Sequence, residues 1–294
     1  MTKSRAFTYV AIGVLGVSFS PIITKSAESS ALSIAMYRLI FACLILLLLN
    51  YKRIDTLLHL PAKERSWSMV SGVFLALHFY FWIASLKLTS VASATVLVNV
   101  HPIAILIIGV LLYKEKPKPY QLFAVTLTLV GSYVLAQSDL TLSRDVIIGD
   151  IYAVISAMLF AFYLTLGKLS RQTITTFQYT MFVYGTCALT LILMSILTGG
   201  GAFVITHTSD WWVFIGLAVI PTLFGHSMFN KALEAVSTSF ISLAVLGEPI
   251  LASIWAFLIF RESVTAIQVV GMAVVLIGIA IYYLPEMRSQ TYET

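Results

Sequence analysis

Long apolar stretches, separated by short polar ones, run along almost the whole chain. An apolar helix needs about 20 residues to cross about 30 Å of hydrocarbon, and ten stretches of that kind fit between charged or Gly/Pro-marked breaks. They are predicted at about residues 6–24, 32–50, 67–86, 90–112, 119–137, 147–166, 176–197, 211–230, 237–260 and 265–284. The pattern therefore predicts an all-α membrane protein with ten transmembrane helices.

The second half of this pattern repeats the first. Four residues recur at a constant shift of 147 positions, with Pro102, Glu115, Gln121 and Gly131 matching Pro249, Glu262, Gln268 and Gly278. We predict two five-helix repeats, in residues 1–140 and 141–294. Because each repeat would cross the bilayer an odd number of times, the second is expected to lie inverted relative to the first.

Composition and charge agree with a bilayer as the solvent. The 294 residues are 59% hydrophobic and 11% charged, with a mean hydropathy of +0.95. The net charge of +5 is spread over many short loops, so the sequence predicts no nucleic-acid partner. With the N-terminus inside, 13 Lys and Arg residues lie in inner loops and tails and 4 in outer loops, which favours cytoplasmic termini in an inner or plasma membrane.

Two stretches resemble a known family. They are Val98-Asn99-Val100-His101-Pro102 through Tyr113-Lys114-Glu115, and Leu246-Gly247-Glu248-Pro249 through Phe260-Arg261-Glu262. They resemble the paired signatures of the drug/metabolite transporter superfamily, and most closely its EamA-type exporters. The resemblance implies an inverted bundle with a central cavity, export by alternating access, and peripheral fifth helices that could support dimer contacts.

Arg38 is the one Lys or Arg placed well inside a predicted span. Charged groups in hydrocarbon are costly and normally face a cavity or a partner. A guanidinium can bind a substrate carboxylate through two hydrogen bonds, so Arg38 is a candidate substrate anchor. The alternative is a structural charge that pairs with backbone carbonyls or a neighbouring acid.

Glu248 and His101 are candidates for proton coupling. They occupy equivalent positions in the two repeats, near the middle of a span. Because burial disfavours charge, either group could exchange a proton during a transport cycle. The alternative is that Glu248 stays neutral or ion-paired and only fixes the broken helix.

Pro102 and Pro249 follow these two residues and are candidate hinges. Each removes a helical hydrogen bond and frees the carbonyl four residues earlier, at Val98 and Val245. A freed carbonyl inside a bundle needs a new partner, such as water or substrate. A fixed kink is the alternative to a moving hinge.

Further polar and aromatic side chains of the predicted spans could bind substrate. They are Tyr37, His78, Trp82, Asn99, Tyr163, His226 and Asn230. Such a mixture suits a small amphipathic molecule, although packing or an interfacial position is the alternative for the aromatic residues.

The sequence carries no paired-histidine metal motif, Gly-x-Ser-x-Gly turn or phosphate-binding loop. We therefore expect that the protein is not an enzyme and that it binds no metal or cofactor. The expected partners are a small-molecule substrate, the bilayer, coupling protons and at most a second copy of the chain. Amino acids or related metabolites are the predicted cargo, cationic or aromatic drugs the runner-up, and a non-transporting scaffold or receptor the alternative of another class.

Overall fold

The computed structural model describes residues 1–89, 91–114, 116–136, 143–171, 173–260 and 265–288. Within these ranges every regular element is helical. The α-helices are α1 Lys3–Ser18, α2 Ser20–Lys25, α3 Ala31–Leu49, α4 Ala62–Leu88, α5 Val91–Val98, α6 His101–Tyr113, α7 Pro119–Ala136, α8 Arg144–Ser170, α9 Thr176–Leu197, α10 Asp210–Leu217, α11 Ser227–Ala232, α12 Thr238–Val245, α13 Glu248–Phe260 and α14 Ala266–Arg288. A π-helix, Ala218–His226, joins α10 to α11.

Seven segments of the described chain are long and apolar enough to cross a membrane. They are Lys3–Lys25, Ala31–Leu49, Ala62–Leu88, Arg144–Ser170, Thr176–Leu197, Asp210–Ala232 and Thr238–Ile259. His101–Leu111 and Val269–Tyr282 are shorter apolar helices. The chain is thus an all-helical protein with several spans, and a total of ten stays a prediction.

Two stretches that we predicted as single helices are divided. Within the stretch at 90–112, α5 ends at Val98 and α6 begins at His101. Within the stretch at 237–260, α12 ends at Val245 and α13 begins at Glu248. Pro102 and Pro249 are the second residues of α6 and α13. Proline lacks the N–H that a helix interior requires but is tolerated in the first turn, so each helix restarts at its proline.

A third irregularity, the π-helix around Pro221, was not predicted. It begins where α10 ends, and the Thr222 hydroxyl donates to the Leu217 carbonyl over 2.7 Å. A proline inside an apolar run frees an upstream carbonyl, and a local π turn is one way to accommodate it. Pro221 lies inside an apolar run, as Pro102 and Pro249 do, so the same reasoning could have predicted this interruption.

Helices from the two halves of the chain pack against each other throughout the bundle. α4 packs on α8, α3 on α9, and α1 on the π-helix and α11. The core between them is formed by buried Leu, Ile, Val, Phe and Tyr side chains. The centre of the bundle is therefore built by both halves.

The glycines of the last predicted helices serve contacts within the chain. α7 packs closely on α14. A Cβ at Gly131 would lie 2.8 Å from the Val275 nitrogen, and one at Gly278 would lie 2.4 Å from Thr128 Oγ1. Gly271 and Gly278 of α14 thus face α7 within the chain, whereas Leu276 and Ile277 of the same helix are exposed.

Candidate functional site

A cavity of about 40 Å³ lies at the centre of the bundle, where both halves meet. Its walls are Val17, Ser20, His78, Phe79, Trp82, Val98, Asn99, His101, Phe160, His226, Phe229, Val245 and Glu248. Six of the predicted site residues are among them: His78, Trp82, Asn99, His101, His226 and Glu248. Ligand pockets usually measure about 300–1,000 Å³, so this cavity is too small to hold a typical ligand without widening.

A larger groove of about 440 Å³ runs between α6 and α7. Its walls are apolar apart from Thr126, and they include the exposed side chains of Ile107 and Leu111. Since a polar metabolite would find almost no hydrogen-bond partner there, the central cavity is the candidate site.

His78 is held by one serine of the other half. Its Nδ1 lies 2.8 Å from the Ser156 hydroxyl and 3.0 Å from the Ser156 carbonyl. The Ser156 hydroxyl donates to the His78 carbonyl over 3.0 Å, so Nδ1 carries the ring hydrogen. Sequence reasoning missed Ser156, because a serine in an apolar helix has no spacing that reveals its partner.

His101 links the two interrupted helices. Its Nδ1 lies 2.9 Å from the Val98 carbonyl, the group that Pro102 deprives of a helical donor, and its Nε2 lies 3.2 Å from the Ser242 carbonyl in α12. A neutral imidazole has one N–H and two ring nitrogens. Both contacts can therefore be hydrogen bonds only when the ring is protonated.

Glu248 is the carboxylate in the wall of the cavity and is 7% exposed. Aromatic rings of Phe79, Trp82 and Phe160 form much of the remaining wall. The site is a mostly apolar enclosure with a few polar groups, which is the usual make-up of a small-molecule site.

Arg38 lies behind this wall. Its Nε donates to Thr222 Oγ1 over 2.6 Å, and its Nη1 donates to Ser20 Oγ over 3.4 Å. The guanidinium carbon lies 4.1 Å from the centre of the Phe79 ring. Since Ser20 and Phe79 both line the cavity, one layer of side chains separates Arg38 from it. Ser20 and Thr222 are far apart in sequence, so no local pattern announced them.

Three other predicted site residues lie outside the cavity. Tyr37 donates to the Phe203 carbonyl over 3.3 Å and stacks on Phe214 with ring centroids 5.2 Å apart. Tyr163 donates to Asn230 Oδ1 over 2.7 Å, and both side chains are fully buried. The structure thus uses these groups in packing and internal hydrogen bonds.

Several predicted features lie beyond the described residues. Glu115, Arg261 and Glu262, which we expected at helix ends, belong to the segments left out, and so does the side chain of Gln268. Lys114 is described and ends α6 in the left-handed conformation, with φ of 54°.

The cavity, its two interrupted helices and the paired halves are the features of a membrane transporter. The model of the EamA-like transporter family matches the chain twice, over residues 4–137 and 147–284. The chain therefore belongs to the EamA-like transporter family, which confirms the resemblance found in the sequence, and its two halves are copies of one family unit.

Three individual relatives share 22% to 26% sequence identity with this chain. An uncharacterized transporter of Archaeoglobus fulgidus is 26% identical over 210 residues, which cover 71% of this chain and 73% of the relative. An uncharacterized transporter of Bacillus subtilis is 26% identical over 234 residues, covering 74% and 72%. The riboflavin transporter ImpX of Fusobacterium nucleatum is 22% identical over 191 residues, covering 63% and 64%.

The fold is shared with a solved structure. A crystal structure that is 18% identical in sequence superposes with a TM-score of 0.78, over 98% of this chain and 99% of the other. At this identity the likeness concerns the fold alone.

Proposed function

We propose that this protein is a secondary transporter that exports amino acids or related small metabolites across an inner or plasma membrane. The observation that carries the proposal is the central cavity, whose walls come from both copies of the family unit. A site between two repeats is accessible to either side when the repeats rock against each other. Export rather than uptake follows from the family resemblance.

The proposed architecture has ten spans in two inverted copies, with both termini cytoplasmic. Packing supports a two-fold relation between the copies because it is reciprocal, and the odd number of spans in each copy would make that relation an inversion. The third span of the first copy, α4, packs on the first span of the second, α8. The third span of the second copy, Asp210–Ala232, packs through its π-helix and α11 on α1. Labelling of Lys114 and Arg261 from opposite sides of the membrane would agree with inversion, and labelling from the same side would overturn it.

Proton coupling through His101 and Glu248 is part of the proposal. His101 has acceptors at both ring nitrogens, so protonation would complete both hydrogen bonds, to the Val98 and the Ser242 carbonyls. Pro102 and Pro249 would serve as hinges, because the helices on either side of them are already separate. If a pH gradient does not alter transport in liposomes, and Glu248→Gln transports normally, coupling through these groups is wrong.

Export of cationic aromatic compounds is the second candidate. It is favoured by the Glu248 carboxylate in a wall that also holds Phe79, Trp82 and Phe160. A scaffold or receptor without transport is the alternative from another class.

One experiment separates the three. Purified protein is reconstituted in liposomes loaded with labelled amino acids or with a cationic dye, and efflux is measured with and without a pH gradient. Efflux of amino acids above that of protein-free liposomes supports the proposal, and efflux of the dye alone supports the second candidate. Efflux of neither supports the scaffold, provided that a thermal-shift screen against the same compounds shows that the protein is folded.

A further inference from the structure

Asn99 presents an unused donor and an unused acceptor to the central cavity. The residue follows α5, is fully buried and lines the cavity. Within the residues that the structure describes, neither its amide nitrogen nor its amide oxygen has a hydrogen-bond partner. His226 Nδ1, also in the cavity wall, is unpartnered in the same sense.

Unpartnered polar groups of this kind are uncommon, because a buried amide that gives up water without a replacement is destabilising. The other two histidines of the wall have partners within the protein. His78 is bonded to Ser156, and His101 contacts two carbonyls. Asn99 is therefore the side chain in this wall with both a donor and an acceptor to give to a ligand.

A basic and an acidic side chain lie at the cavity. Glu248 is in the wall, and Arg38 lies behind Phe79, with its guanidinium carbon 4.1 Å from the centre of the Phe79 ring. Hydrogen bonds to Thr222 and Ser20 hold Arg38 there, and its Nη2 has no partner among the described residues. A net anion would be repelled by an ionised Glu248 and a net cation by Arg38, whereas a ligand without net charge avoids both costs.

We propose that Asn99 determines specificity by binding a donor and an acceptor on neighbouring atoms of a substrate that has no net charge. The α-amino and carboxylate groups of a zwitterionic amino acid offer such a pair, and so does a carboxamide. The apolar body of the substrate would lie among Phe79, Trp82 and Phe160. Arg38 then acts as a structural partner of Phe79, Thr222 and Ser20 rather than as the first contact of a carboxylate.

This inference rests on the proposed function only in taking the central cavity as the substrate site. It specifies the net charge of the substrate and the arrangement of the substrate's polar groups. Because the cavity must widen to admit any of these compounds, Asn99 would make its bonds as the repeats close around the substrate.

The test compares compounds that share a body and differ in the polar end. For a phenylethyl body, they are phenylalanine, 3-phenylpropionamide, 3-phenylpropionate and phenethylamine, and a leucine-like series repeats the comparison. Binding is measured as the shift in unfolding temperature of the purified protein in detergent. Zwitterion or carboxamide should bind about tenfold more tightly than the anion and the cation of the same body. Preference for the zwitterion identifies amino acids, and preference for the carboxamide identifies neutral amides.

Asn99→Leu tests the residue, with Thr95→Val as the matched control. Leucine keeps the branched shape and the number of heavy atoms of asparagine but removes both polar atoms, so the preference for neutral compounds should disappear. The unfolding temperature without ligand should stay the same or rise, since an unpartnered amide is removed. Thr95 lies one turn before Asn99, and its hydroxyl is likewise buried without a partner, but it does not line the cavity. Thr95→Val should keep the preference.

Equal shifts with the charged analogues, no shift with any zwitterion or carboxamide, or an unchanged preference in Asn99→Leu overturns the inference. Binding in detergent does not require transport. Neutral compounds that bind through Asn99 but never cross a liposome membrane would contradict the proposed function and leave this inference standing. Transport at a rate that does not depend on the polar end of the substrate would support the proposed function and contradict this inference.

Discussion

The two ends of the span Asp210–Ala232 are held in different ways. At its start, the Asp210 carboxylate accepts hydrogen bonds from the Ser29 nitrogen over 2.8 Å, the Ser29 hydroxyl over 2.5 Å and the Glu28 nitrogen over 3.3 Å. Asp210 belongs to the second copy of the family unit, and Glu28 and Ser29 belong to the first. We call this contact the Asp210 end.

At the other end of the span, an ionic cluster joins residues that all belong to the second copy. Arg171 donates to Glu234 and to the Ile174 carbonyl, and it reaches the Asn230 carbonyl over 3.0 Å. Lys231 also donates to Glu234, over 2.9 Å. We call this region the Arg171 end.

Among the described residues, the bonds between the copies at the Arg171 end involve no buried carboxylate. The Ser71 and Tyr179 hydroxyls lie 2.7 Å apart, the Thr173 hydroxyl donates to Glu64 over 3.3 Å, and the Gln178 amide donates to the Thr56 carbonyl over 2.9 Å. The comparison teaches that a buried carboxylate ties the copies together at one end, whereas at the other the charges mainly stiffen one copy. If the repeats move against each other, the Arg171 end can separate without exposing a buried carboxylate that joins the copies.

The largest effect is expected from Arg171→Met. The guanidinium is fully buried, and its removal leaves two carbonyls without this donor and Glu234 with Lys231 as its one cationic partner among the described residues. Loss of one member of a buried pair costs several kcal/mol, so the free energy of unfolding in detergent should fall by about 3 kcal/mol. Lys231→Met removes the half-exposed partner of the same carboxylate and should cost about 0.5 kcal/mol. Equal losses would mean that the cluster is not organised around Arg171.

The second effect concerns the contact between copies at the Asp210 end. Asp210→Asn keeps one acceptor oxygen but loses the charge that strengthens three hydrogen bonds, so we expect a loss of about 2 kcal/mol. Cysteine labelling of the cavity wall should also become faster from that end. Asp145→Asn is the matched control, since Asp145 is an exposed acid in the first turn of α8. It should cost about 0.5 kcal/mol, and a similar cost for both variants would show that Asp210 contributes only as a helix-end charge.

The positions of most helices could be predicted from the sequence, because apolar residues follow one another in runs long enough to cross a membrane. Long apolar runs placed the helices, and Pro102 and Pro249 marked two interruptions. Residues such as His78 and Asn99 stood out because polar groups are rare in apolar runs. What they contact could not be predicted, since a residue such as Ser156 is set by helix packing and not by spacing along the chain. Arg38 is the plainest case, because the sequence places it in a span but does not show that Phe79 stands in front of it.

A smaller effect is expected from pH at the Arg171 end. Partial burial opposes ionisation of Glu234, but the hydrogen bond from Lys231 and the charge of Arg171 outweigh it and lower the pKa of the carboxyl. A lowered pKa means that the ionised group stabilises the folded state above the unfolded value of about 4.3, and that this contribution is lost as the pH falls through the folded pKa. Glu234→Gln should cost about 1.5 kcal/mol at neutral pH and progressively less on acidification. A difference from wild type that does not change with pH would contradict this assignment.

The smallest effect is expected from Thr173→Val, and it decides whether the two ends differ at all. Thr173 is exposed and its bond to Glu64 is long, so water can replace it and the loss should stay below about 0.5 kcal/mol. The corresponding change at the other end, Ser29→Ala, removes a short bond to a buried carboxylate and should cost about 1 kcal/mol. Both are measured as unfolding free energies in the same detergent. Equal costs would mean that hydroxyl–carboxylate bonds hold the copies equally at both ends, and the prediction that the Arg171 end separates first would lose its basis. Unequal costs in the expected order would place the weaker contact between copies beside the ionic cluster, where charges within one copy could keep that copy rigid while the other moves.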